Sequence, residues 1–134
     1  MIVVDANVIA SVVLPTGDRT ELATRALEAD REWVAPVLWR SELRNVLATA
    51  VRTQKIALAE ALEAMAVAEE LMGGGEYTVP SSAVLELASE SGCTAYGCEY
   101  AALARDLGVR LVTEDRALLR AFPDEAVSLA DFVS

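Results

Sequence analysis

Along this chain, short apolar runs that are too brief for helices alternate with longer amphipathic segments. No other feature restricts the fold as much. MIVVD, residues 1–5, is a run of this kind; it ends in Asp5 and reads as a strand buried on both faces. REWVAP, EYTVP, VRLVT and AVSL supply further short strands. Between them, Asp18–Ala29 sets Leu22, Ala23, Ala26 and Leu27 on one helical face, with charges on the other. Pro36 suits the first turn of the next helix, where Leu43, Val46, Leu47, Ala50 and Val51 keep the spacing of a single buried face. Leu58, Leu62, Met65 and Met72 mark another helix, and the short RTQKI joint makes the two an antiparallel hairpin.

The triple glycine at 73–75 ends that hairpin. No Lys-Ser/Thr follows it, so it is not a phosphate-cradling loop. Residues 81–90 form a helix closed by Gly92. Thr94 then caps a helix whose Tyr96, Tyr100, Leu103 and Leu107 fall on one stripe, and 116–120 form a short last helix. Strands alternating with helices imply a mostly parallel sheet covered on both faces, within a single domain over 1–134.

The chain has 134 residues, 54% of them hydrophobic, which is enough for one real core. It contains no His, which excludes a Ser-His-Asp triad, a Cys-His pair and any histidine general base. Cys93 and Cys98 form neither a disulfide framework nor a zinc site and read as small core residues. No apolar run approaches the roughly 20 residues of a membrane span, and the start lacks a secretory signal; the expectation is a soluble cytoplasmic protein. A formal net charge of −10 makes the surface repel phosphate overall. Catalysis then falls to carboxylates, hydroxyls, Lys/Arg or a bound metal.

Ligands of open parallel sheets bind beyond the carboxyl ends of the strands. Asp5 and Asp115 each follow a strand directly, and Glu42 lies at the edge of the apolar face of its helix. Three such oxygen donors converging on one point would suit Mg²⁺ or Mn²⁺. The alternatives are that Asp5 and Asp115 only cap the helices that follow, and that Glu42 is a solvated edge carboxylate. Arg40, Arg44 and Lys55 share a flank away from Glu42, as a solvated face or a track for an RNA backbone. Arg116 and Arg120 sit closer to Asp115, able to contact phosphate or to pair with Glu114 and Asp115.

MIVVDANVIA, APVLWRSELRNVL and GCTAYGCEYAALARDLGVRLVTEDRALLRAFP resemble, in order and spacing, the PIN-domain ribonucleases, specifically VapC-type toxins of bacterial toxin–antitoxin pairs. The resemblance implies a three-layer α/β/α fold with four or five short strands and a metal-dependent endoribonuclease activity. Asp5, Glu42 and Asp115 match family acids that hold one or two Mg²⁺ or Mn²⁺, and Asn7 and Thr113 match supporting polar residues. The same resemblance implies an RNA substrate, a small antitoxin partner and a homodimer formed through helices. Glu60, Glu63 and Glu70 lie opposite the core on the Met- and Ala-rich helix, which suits core or dimer contact.

At position 97 the family would ordinarily carry an Asp, where this chain has Gly97. Glu99 is about 200° away around the helix, and Glu114 alternates to the other side of an extended strand. The expectation is weakened metal binding and reduced cleavage. The alternative is a PIN-like module that acts mainly by binding an antitoxin.

Overall fold

A computed structural model of the protein describes residues 1–14 and 18–134. Its sheet contains β1 (Ile2–Val4), β2 (Trp33–Pro36), β3 (Glu76–Tyr77), β4 (Leu111–Val112) and β5 (Ala126–Val127). All neighbours are parallel, in the order β3-β2-β1-β4-β5. The register sets Val3 opposite Val34 on one side and Leu111 on the other. Every residue of β1, β2 and β4 is buried, which explains why these runs are continuously apolar and do not alternate.

The helices are α1 (Ala6–Val13), α2 (Asp18–Ala29), α3 (Trp39–Arg52), α4 (Leu58–Leu71), α5 (Ser81–Ser91), α6 (Ala95–Leu107), α7 (Arg116–Ala121) and α8 (Leu129–Val133). From β1 to β3 the chain steps one way across the sheet, and from β4 to β5 it steps the other way. Right-handed crossovers therefore put α1–α4 on one face and α5–α7 on the other, giving three layers. α1 packs against α2, α3 and α4, with α8 against α2; α6 runs over β1, β2 and β4 with α5 and α7 beside it. Trp39, Leu43, Ile9, Tyr100 and Leu111 are among the largest side chains wholly removed from water. Each such aliphatic group contributes ~1.5–3 kcal/mol of burial. Among the described residues, no helix is long and apolar enough to cross a membrane.

The structure departs from sequence expectation in three places. Pro36 closes β2 and does not open α3. The ladder steps over its missing N–H: Ala35 and Val37 donate to Gly75 and Tyr77 at 2.9 and 3.1 Å. Tyr96 leaves the stripe of Tyr100 and Leu103 and stands in solvent, because it lies in the first turn of α6, ahead of the part that crosses the sheet. Lys55 lies beyond the end of α3, so it shares no helical flank with Arg40 and Arg44. Gly92 and Gly108 end α5 and α6 with φ of 74° and 67°, the left-handed closure that glycine makes easy.

Candidate metal centre

β1 lies where the chain reverses its direction across the sheet, so the crevice between the carboxyl ends of β1 and β4 is the expected ligand site. Asp5 follows β1 immediately and is only 6% exposed. Its Oδ1 accepts from the Val8 amide at 2.9 Å, capping α1, while Oδ2 accepts from the Thr113 hydroxyl in a short hydrogen bond. Thr113 Oγ1 in turn accepts from the Asp115 amide at 3.0 Å. One buried threonine thus orders the two acid-bearing turns against each other. Asp115 Oδ1 caps α7 by accepting from the amides of Ala117 and Leu118 at 2.8 and 3.3 Å. Capping and facing the crevice therefore coexist in both residues.

Glu42 comes from the first turn of α3 and is half-buried. Its Oε1 accepts from the Tyr100 hydroxyl on α6 at 2.5 Å. Burial and the neighbouring carboxylates, Glu42 first among them, hold this phenol far above its ordinary range, so it donates at any physiological pH. Sequence reading placed Tyr100 on an apolar stripe and missed this contact. The available signal was the hydroxyl itself, since a buried tyrosine needs a partner that phenylalanine does not.

Asp5, Glu42 and Asp115 line one cavity of about 300 Å³, together with Asn7, Asn45 and Tyr96. Among the described residues, no Lys or Arg lines it. Burial pushes Asp5 up to about 6; hydrogen bonds from Thr113 and Val8 oppose the rise, and the charges of Glu42 and Asp115 add to it. Among the described residues, no three carboxyl, thiol or imidazole groups stand as a ready-made cation cage. Glu42 Oε2 and Asp115 Oδ2 nevertheless accept no hydrogen bond from the described residues. The donors facing the cavity are hard oxygens, a set suited to Mg²⁺ or Mn²⁺ and not to zinc or copper.

Gly97 forms part of the cavity wall, and its amide donates to the capping Thr94 hydroxyl at 3.1 Å. A Cβ added there would lie 3.1 Å from Leu118 Cδ2 and 3.4 Å from Thr94 Oγ1, a tight fit that a small shift of Leu118 would relieve. Glu99 is not among the residues lining this cavity and borders a separate depression beside Val84 and Leu85, yet it lies near enough to Glu42 that this charge, after burial, raises its carboxyl. Glu114 also turns away, accepting from the Leu129 amide at 2.8 Å.

The basic residues are distributed differently from the sequence expectation. Arg40 is no part of an RNA track, because it forms a double hydrogen bond to Glu76 at 2.7 and 2.8 Å and a further ion pair to Glu69. Arg116 and Arg120 are exposed and pair with neither Glu114 nor Asp115 among the described residues; Glu114 instead accepts from the Leu129 amide. Cys93 and Cys98 are free thiols packed among core side chains.

A family model described as PIN domain matches residues 2–122. No curated protein matches the chain. The crystal structure of PAE2754 from Pyrobaculum aerophilum is similar with a TM-score of 0.79 at 22% identity, covering 98% of this chain and 85% of that one. The crystal structure of FitAcB from Neisseria gonorrhoeae is similar with a TM-score of 0.66 at 19% identity, covering 97% and 99%. At these identities the two structures speak for the fold, and function has to be argued from the site.

Proposed function

The chain belongs to the PIN domain family, whose members are generally nucleases, and from that premise we propose that it is a metal-dependent endoribonuclease of the VapC toxin type. One observation carries the reading: three carboxylates from three separate elements line one cavity that has no basic side chain among its described lining residues. Folding that concentrates negative charge without an internal counterion is costly unless a cation completes the site. Asp5, Glu42 and Asp115 would hold Mg²⁺ or Mn²⁺, with Asn7 as a nearby polar support. When bound, such an ion neutralises charge on the phosphodiester and activates water for its hydrolysis.

The protein's own groups supply the positioning. Thr113 holds Asp5 and the Asp115 turn in register, and Tyr100 holds Glu42 by one oxygen, leaving the other to face the cavity. Such hydrogen bonds to ligand carboxylates restrict their orientation and tune their affinity. Gly97 removes the acid the family resemblance leads one to expect, so the site is weakened, and any second ion most of all. The natural setting of the reading is a cytoplasmic toxin, with residues 1–134 as one PIN-like domain, that cuts RNA, forms a homodimer and is silenced by a small antitoxin. The outer face of α4, with Leu58 and Leu62 exposed beside Glu63, is suited to such protein contact.

Cleavage of single-stranded RNA with Mg²⁺ or Mn²⁺, measured for the parent and for Asp5→Asn, tests the proposal. Metal-dependent cutting that vanishes in the variant is expected. Cutting that survives Asp5→Asn overturns the assignment of the site. Gly97 favours a second reading, in which the chain binds an antitoxin and cuts no RNA. Absence of cleavage in the parent at every metal concentration, with antitoxin binding intact, would establish that one.

A further inference from the structure

The cavity contains two side chains that the metal reading leaves unused. Tyr96 is 64% exposed, yet it borders the same cavity as the three acids. It stands at the start of α6 directly before Gly97, which lines the same cavity. Asn45, exposed on α3 one turn beyond Glu42, borders the cavity as well and brings an amide with both a donor and an acceptor. Among the described residues no Lys or Arg lines the cavity, so no side chain there grips a phosphate by charge.

We propose that Tyr96 and Asn45 form a nucleobase subsite beside the acid cluster, with Tyr96 stacking on an unpaired base and Asn45 hydrogen-bonding its edge. The inference rests on the nuclease reading and adds a residue-level account of how RNA is held. Stacking suits this place physically, because it needs an exposed ring face and no positive charge. It also requires a single-stranded substrate, since a paired base cannot reach the ring.

Fluorescence anisotropy of a labelled single-stranded RNA oligonucleotide, with Ca²⁺ in place of the Mg²⁺ or Mn²⁺ that supports cleavage, reads binding without depending on turnover. Tyr96→Ala should weaken binding roughly 10- to 100-fold, whereas Tyr96→Trp should hold it near the parent value. Replacing single bases by abasic positions should reveal one position whose loss weakens the parent and leaves Tyr96→Ala unaffected. Asn45→Ala should reduce discrimination among bases at that same position. If the parent binds RNA and Tyr96→Ala binds equally well, the subsite is wrong and the nuclease reading stands. If the parent binds no RNA although calorimetry shows that it takes up Mn²⁺, both the subsite and the RNA substrate are wrong.

Discussion

The first turn of α3 sends two charged side chains into opposite surroundings. Arg40 faces α4 and β3, where it binds Glu76 with two nitrogens and Glu69 with a third, while its guanidinium lies 5.3 Å from the centre of the Trp39 ring. Trp39 Nε1 also donates to Glu76 at 3.0 Å. Glu42, two residues on, shares a cavity with two more acids and, among the described residues, no cationic side chain. The hydrogen bonds from Arg40 hold Glu76 below the usual carboxylate range, whereas burial drives Asp5 above it. One acid cluster is complete as folded and ties elements together. The other is left electrostatically open, as expected of a site completed from outside.

Asp5→Asn breaks the open cluster most severely. Metal-dependent cleavage should fall about 1,000-fold, since several kcal/mol of charge stabilisation go with the ligand. In metal-free buffer the same change should stabilise the fold. A carboxyl raised to about 6 binds its proton more tightly when folded, so the fold loses stability as pH rises from near 4 through 6. Above that the penalty is on the order of 3 kcal/mol. Urea denaturation in EDTA should therefore show Asp5→Asn ahead of the parent at pH 7, with the gap closing towards pH 4. For Glu76 the sign is opposite: its lowered carboxyl lends stability that is lost as pH falls below the ordinary carboxylate range.

Gly97→Asp sharpens the contrast by adding negative charge to the open cluster. Mn²⁺-dependent cleavage should rise about 10-fold or more. In EDTA the thermal midpoint should fall, because the new carboxylate joins three others and its Cβ presses on Leu118. A parent and variant that cleave equally would deny any role to position 97. Tyr100→Phe, which frees Glu42 Oε1 while keeping the ring buried, should weaken Mn²⁺ binding by about 10-fold in calorimetry. Arg40→Met opens the closed cluster: thermal stability should drop, most clearly where the Glu76 carboxyl is ionised, while Mn²⁺ affinity stays at the parent value. A change in that affinity would mean that the two clusters are coupled through α3.

Much of the site's raw material was legible in the chain. Asp5 and Asp115 follow buried strands, and local pattern is enough to see that. Their capping roles are legible too, but local pattern presents capping and facing the cavity as alternatives, whereas in the fold one carboxylate does both. Helical geometry also separated Glu99 from position 97, and the two do face different depressions. Tyr100 is buried as its place on the stripe implies, but its bond to Glu42, the ion pairs of Arg40 and the exposure of Tyr96 escape local pattern for a common reason. Periodicity describes the face a residue occupies on its own element and is silent about what another element brings against it.

Sequence alone determined the alternation of buried strands and helices, hence a parallel sheet, and it excluded histidine chemistry outright. Those properties depend on residue identity and on spacing within one element. Tertiary structure alone decided that Tyr100 meets Glu42, 58 positions away, that Arg40 is consumed by Glu69 and Glu76, and that Asp5 is buried deeply enough to hold its proton near pH 6. Contacts between distant segments and the loss of water around a charge arise only once the layers have closed, and no local pattern encodes either one.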